Sequence, residues 1–419
     1  MPFILSQFIE ASRWLGALVV LAVHTNNMFT NQADIMSAPH GPLAYVWWFY
    51  SAFELGHQAV LAFFVMSGYL VGGAVLAHMR KNQGFLREYF IHRVSRIYLV
   101  VGPAVALTLV LDSLGRWLFA SSGVYEWPLF KGHFSPVLFL ASFLNLQGIA
   151  FDYFGTNGPL WSLACEFWYY VTFPLLLLPF ARNYPLALRF LGFALGAALF
   201  LALSTPPSWF KFGYILWAGG AFATLIGRPI IRSRWQALIL YAAVVAVIRL
   251  VVRGHLLEAH PWLADAGDLL ASGLFVNVLL AFRYGPPEGF SLLRPKFHKT
   301  LADFSFSLYS IHMPILIFAR AAVGSTLGND WATQLATPQN YAVAFSVMGV
   351  AIVAGYFFSR VTEAKTGAAR RKLRAACCGA AAAPADRSLS IFRRSGFGVG
   401  MRQFWKLERS HESMNHDPR

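Results

Sequence analysis

Arg13 and His24 stand at the two ends of an otherwise apolar run, Arg13-Trp-Leu-Gly-Ala-Leu-Val-Val-Leu-Ala-Val-His24. This separation is close to three whole helical turns, so both side chains share one helix face, about 16 Å apart along the axis. A cation and a titratable ring are costly in hydrocarbon and turn toward a bundle interior or a water-filled cavity. An imidazole held there can serve as a general base. The competing reading is an interfacial arginine and a histidine satisfied by neighbouring helices.

Further stretches carry polar groups into apolar surroundings. Trp161-Ser162-Leu-Ala-Cys-Glu166 opens a helix that enters from outside. Glu166 then lies about one and a half turns below the outer surface, the depth also expected for His24. A carboxylate there can orient the imidazole and support its charged form, with Trp161 and Ser162 lining the pocket. The plainer alternative is a carboxylate that bridges helices through water. In Phe63-Phe-Val-Met-Ser67-Gly68-Tyr69, Ser67 and Gly68 permit a close helix approach or a narrow passage, and packing alone explains them. Arg93 and Arg96, three apart, project from one face at the membrane surface, where two guanidiniums form a bidentate phosphate site. Topology determination or lipid-headgroup contact accounts for them equally. Tyr309 and His312 sit in Ser305-Phe-Ser-Leu-Tyr309-Ser-Ile-His312-Met-Pro314, where His312 falls near the midplane. Pro314 loosens the backbone bonding beside it. A lone histidine at such depth is often structural.

These side chains need helices to hold them. Hydrophobic residues make up 57% of the 419 and charged residues only 13%, about half the charge of an average soluble domain. With a mean hydropathy of +0.51 and many separate apolar runs, the chain reads as an all-α polytopic membrane protein. Spans of about 20 apolar residues fall near 12–30, 54–77, 96–118, 161–181, 187–204, 210–227, 236–253, 266–283, 303–323 and 340–361. Pro136 to Gln147 is too short to cross and suits a re-entrant or interfacial segment. Ten spans with both termini cytoplasmic put the runs around Arg80–Arg93, Arg228–Arg234, Arg294–Lys299 and Arg360–Arg374 inside. Loop 31–53 then lies outside with no Lys or Arg, and 119–160 with Lys131 only. Nine or eleven spans break this positive-inside alternation.

The net charge of +15 therefore belongs to loops and tail, which argues against a nucleic-acid groove. Cys165 lies in an apolar run and Cys377 and Cys378 are adjacent, so neither a disulfide framework nor a metal site follows. Nucleophile-elbow, Walker and zinc motifs are missing. Met1 to Ser12 holds Glu10 and no Lys or Arg, so it is expected to be retained and not cleaved as a secretory signal. No internal repeat stands out, which counts mildly against an inverted-repeat transporter. Residues 1–374 form one transmembrane domain. From 375 to 419 the composition reads as a flexible basic cytoplasmic tail, able to meet anionic lipid through Arg393, Arg394 and Arg402. Its Gly396-Phe-Gly-Val-Gly400 lacks a preceding strand and is not read as a nucleotide site.

Taken in chain order, these motifs resemble the acyltransferase-3 family of membrane-bound acyltransferases, whose members O-acylate bacterial surface carbohydrates. Arg13 to His24 matches the family's Arg-ten residues-His signature, and Phe63 to Gly68 its Phe-Phe-hydrophobic-x-Ser-Gly stretch. Arg93-Val-Ser-Arg96 is similar to its paired arginines, Trp161 to Glu166 to its Trp-Ser-Leu-x-x-Glu, and Ser307 to Pro314 to its late helix. The resemblance covers about residues 10 to 363. It implies ten helices in the inner (plasma) membrane, an acyl-CoA co-substrate from the cytoplasm and no resident cofactor. It also implies His24 as catalytic base and a donor held by Arg13, Arg93 and Arg96. Acetyl-CoA is the expected donor, and an extracytoplasmic carbohydrate such as exopolysaccharide or O-antigen the expected acceptor. The chain departs from the family where Arg96-Ile-Tyr-Leu lacks the proline common soon after the second arginine, and where Glu363-Ala lacks the proline that often follows this glutamate. No hydrolase-like domain of the kind some members append is expected from these residues. The alternative is a transporter of lipid-linked sugar or protons, using His24, Glu166 and His312 as a relay. That reading has no need of Arg93 and Arg96 on one face.

Overall fold

A backbone in hydrocarbon must satisfy its own hydrogen bonds, and the apolar runs do so as helices. A computed structural model describes residues 1–30, 34–35, 39–51, 53–81, 84–251, 260, 262–286, 295–328 and 336–378, and among these the architecture is all-α. The helices are α1 (Phe3–Phe29), α2 (Pro42–Tyr50), α3 (Phe53–Ser67), α4 (Gly73–His78), α5 (Phe85–Leu118), α6 (Pro136–Phe143) and α7 (Trp161–Leu177). They continue with α8 (Leu186–Ser204), α9 (Phe210–Ala223), α10 (Arg234–Val251), α11 (Trp262–Tyr284), α12 (Pro295–Leu327), α13 (Pro338–Val361) and α14 (Thr366–Cys378). Residues 252–253 of one expected span, Arg294, and the tail from 379 with Arg393, Arg394, Arg402 and Gly396–Gly400 lie outside the described residues.

Eight described stretches are long and apolar enough to cross a bilayer: α1, Leu55–His78, α5, Gly158–Phe180, α8, α11, α12 and Pro338–Ala375. Two of the ten expected spans coincide with the shorter helices α9 and α10. The first helix begins at Phe3, well before residue 12, because its opening turns are core. Ile4, Leu5, Phe8 and Ile9 are buried, and Phe8 stacks on Phe282 with ring centroids 4.2 Å apart. At the centre lies α12, whose most apolar window is 67% buried, against 17% for α8 at the periphery.

Two features of the chain set helix spacing around the site. Gly68 opens a π-helical turn, Gly68–Gly72, between α3 and α4. A Cβ on Gly68 would fall 1.8 Å from the Trp217 carbonyl oxygen, and one on Gly220 2.1 Å from that of Val65, so only glycine lets α3 and α9 approach this closely. The second feature is proline inside helices. A proline has no N–H and leaves the carbonyl four residues earlier without its intrahelical donor. Pro174 frees the Tyr170 carbonyl, which accepts from the Tyr89 hydroxyl of α5 at 3.0 Å. Pro314 frees the Ser310 carbonyl, which accepts from the Asn157 amide at 3.0 Å. Both orphaned oxygens become ties between segments.

The long connection before α7 is folded inward. Thr156 and Asn157 are buried, and the Asp112 carboxylate of α5 accepts from the Thr156 backbone N–H at 2.9 Å and from its hydroxyl at 2.8 Å. Gly155 turns there with φ +59°, and a Cβ would meet Asp112 Oδ2 at 2.1 Å. Pro136–Gln147, expected as a short interfacial piece, holds the short helix α6 followed by a buried turn at Asn145 and Gln147.

Candidate active site

His24 on α1 and His312 on α12 face each other inside the bundle. His24 Nδ1 lies 2.8 Å from His312 Nε2, with the rings nearly parallel at 17°. The protons on this pair follow from a third contact. His312 Nδ1 is 2.8 Å from the Tyr309 carbonyl oxygen, which can only accept, so Nδ1 carries the proton. In the neutral ring, His312 Nε2 is then an acceptor, and the bond between the rings is donated by His24 Nδ1–H. The lone pair of His24 Nε2 is left for other work. His312 is buried, while His24 retains partial exposure.

The segment leading into α7 is tied to the helix that carries His312. Asn157 donates to Thr108 Oγ1 and to the Ser310 carbonyl, both at 3.0 Å, two residues from His312. Ser162 Oγ and Tyr309 Oη are 2.6 Å apart, and the Tyr309 hydroxyl also reaches the Pro159 carbonyl at 3.1 Å. Phe63 packs edge-on against the Tyr309 ring, and Trp161 against Phe64.

Glu166 belongs to a different cluster. Its Oε1 accepts from the hydroxyls of Ser67 and Tyr170, and Trp217 donates to Ser67 Oγ at 3.0 Å. The expected pairing of Glu166 with His24 is therefore replaced: His312 orients the imidazole, and Glu166 joins α7 to the Ser67–Gly68 turn. The count of residues from the surface did not fix which neighbours Glu166 meets. Counting residues inward from the surface assumed that α7 starts at that surface, whereas Thr156 and Asn157 are already buried before it. Glu166 shares its surroundings with Arg93, whose guanidinium lies over the rings of Tyr89 and Tyr170, 5.9 Å from each centroid.

At the end of the bundle where α5 begins, the arginines gather. Arg96 approaches Glu363 at 3.8 Å and sits over the Phe306 ring at 5.6 Å, and Ser307 donates to the other Glu363 oxygen at 3.2 Å. Arg13 shares the electrostatic surroundings of Arg96, Glu363 and Asp303. The motif residues thus form an imidazole pair, a Ser67–Glu166–Tyr170 knot and an arginine cluster. Residue spacing alone did not single out the chemistry of Glu363, Asn157, Asp112 or Tyr170. Pro314 was the one visible sign that a buried carbonyl near His312 needed a donor. Among the described residues, no group of three or more His, Cys, Asp or Glu is placed to hold a metal ion.

Comparison with known proteins bears on what this arrangement is for. Residues 6–360 match a family model described as an acyltransferase domain. The chain is 25% identical over 314 residues to the peptidoglycan O-acetyltransferase OatA of Listeria monocytogenes, covering 69% of this chain and 49% of that protein. It is 24% identical over 377 residues to the acyltransferase MdmB of Streptomyces mycarofaciens, covering 84% and 89% respectively. A Haemophilus influenzae protein without an assigned role is 32% identical over 124 residues, covering 28% and 47%. The chain thus spans about half the length of the Listeria protein. No solved structure matches.

Proposed function

This chain belongs to the acyltransferase-3 family of membrane acyltransferases, and from that premise we propose that it moves an acetyl group from cytoplasmic acetyl-CoA to a hydroxyl of an extracytoplasmic carbohydrate. In this reading the chain crosses the inner membrane ten times, with α9 and α10 supplying the two shorter crossings. Both termini and the arginine-rich end face the cytoplasm, as the loop charges favour.

The bond between His24 and His312 carries the proposal. His24 Nε2 takes the proton of the acceptor hydroxyl as its oxygen attacks the thioester carbonyl. His24 Nδ1–H stays bonded to His312, which fixes the ring and shares the positive charge that develops on it. Collapse of the tetrahedral intermediate breaks the carbon–sulfur bond, and the proton held on His24 passes to the departing thiolate. The products are an ester and free CoA. Arg93, Arg96 and Arg13 hold the donor's phosphates, and the pantetheine arm runs up the bundle past Ser67, Gly68, Phe63 and Tyr309. Exclusion of water by the segment 154–160 limits thioester hydrolysis. An acceptor such as exopolysaccharide, O-antigen or peptidoglycan fits the relative named as a peptidoglycan O-acetyltransferase.

The transporter reading relied on a relay through His24, Glu166 and His312. Glu166 bonds instead to Ser67 and Tyr170, outside the His24–His312 pair, which weighs against that relay. The decisive experiment incubates membranes holding the protein with labelled acetyl-CoA and surface glycan. Label is expected to enter ester linkage with the wild type and not with His24→Ala. Transfer by a well-folded His24→Ala protein would sink the assignment.

A further inference from the structure

After the last long helix the chain turns through Glu363–Lys365 and lays α14 against the start of α5. The fastening is specific. Arg374 Nε and Nη2 both donate to Glu88 Oε2, at 2.9 and 2.6 Å, and Nη2 also meets His92 Nε2 at 2.9 Å. One turn earlier on the same helix face, Arg370 reaches over α5, its Nε 3.4 Å from Ser95 Oγ and its Nη2 3.4 Å from the His92 carbonyl. These partners are neutral. Arg370 nevertheless lies in the Coulomb field of Arg93, Arg96 and Arg374.

The charges here are unevenly matched. Arg374 has Glu88 and Arg96 has Glu363. Arg93 has tyrosine rings and Arg370 has a hydroxyl and a carbonyl, and among the described residues neither forms an ion pair with a carboxylate. Two guanidiniums held near each other without their own counter-ions repel, and the repulsion is strongest where apolar helices lower the dielectric. A fork of N–H donors in that setting matches phosphate oxygens. Arg93 and Arg96 also come from one helix and share one face. A ligand with a diphosphate and a separate ribose phosphate needs donors from a second direction.

We propose that Arg370 is a further donor-binding guanidinium, beside Arg93, Arg96 and Arg13, held by the Arg374–Glu88 clasp so that α14 closes over the phosphates of a coenzyme A thioester bound there. This rests on the acyltransferase reading given above. It assigns the start of the segment after the last crossing to the site, where residue spacing alone placed it among topology signals. The same chemistry would recognise an anionic lipid headgroup, so the test separates the two.

Full-length protein is reconstituted in nanodiscs of phosphatidylcholine alone or with phosphatidylglycerol, and binding of CoA is measured by calorimetry. Arg370→Gln is expected to weaken CoA binding by about tenfold or more in both lipids, the loss typical of one charge-assisted contact. Arg370→Lys keeps the charge without the fork and serves if the glutamine variant is unstable; it is expected to lose about threefold to fivefold. Arg371→Gln removes an equal charge from the exposed neighbour and is expected to bind as wild type does. Wild-type CoA affinity in Arg370→Gln overturns the inference, and so does a loss confined to phosphatidylglycerol discs, which assigns Arg370 to headgroups. A wild-type protein that binds no CoA brings down the donor reading itself, and this inference with it.

Discussion

Inside the bundle His24 and His312 bond to each other, ring nitrogen to ring nitrogen, while at the end where α5 begins Arg93, Arg96 and Arg374 meet tyrosine rings, Glu363 and Glu88. The two centres answer different demands. A carboxylate partner for His24 would strengthen the base but would bring its own charge into an apolar surround, at a cost of several kcal/mol. A second imidazole orients the first with much less desolvation and leaves its far nitrogen open. Guanidiniums cannot shed their charge, so their centre sits at a helix end, partly compensated and with capacity left for an anion. In the proposed mechanism, proton handling and anion recognition are thereby kept apart, joined by the Ser67–Glu166–Tyr170 knot.

Breaking the imidazole centre should produce the largest effect. His24→Ala is expected to cut acyl transfer by roughly 10²–10⁴-fold, the usual worth of a general base, with CoA affinity unchanged in calorimetry. His312→Ala leaves the base in place but unaimed, so a smaller loss, about 10²-fold in kcat, is expected, again without change in CoA affinity. A large change in affinity in either variant would erase the division between the two centres. Arg93→Gln tests the other side. Donor KM is expected to rise about 10–100-fold with a smaller change in kcat, because a contact to a charged group contributes about 1.5–3 kcal/mol. The smallest effect belongs to the knot between them. Trp217→Phe removes the indole donor to Ser67 and should lower stability by about 1 kcal/mol, read as a shift in thermal unfolding, with activity near wild type.

Much of this was legible in the residues. Apolar run lengths located the helices, and the Arg13–His24 spacing put both on one helix face. The partners of Glu166 were not legible. A residue count from the surface takes no account of a connection that dips inward through Thr156 and Asn157, held by Asp112 more than forty residues earlier in the chain. Without that dip Glu166 and His24 appear level, and the carboxylate looks like the natural partner. The pairing of His24 with His312 joins residues 288 apart, a distance at which helix periodicity carries no information. Pro314 predicted a freed carbonyl but not its donor. Arg370 and Arg374 read as part of a charge run until Glu88 gave one of them a fixed direction.

Asn157 has a consequence for turnover. Its amide grips the oxygen that Pro314 leaves bare, on the helix that carries His312, so the segment leading into α7 and that helix are mechanically coupled. Any displacement of that segment pulls on the turn of α12 two residues before His312. Under the acyl-transfer proposal, Asn157→Ala is expected to raise hydrolysis of acetyl-CoA in the absence of acceptor, measured as free CoA released.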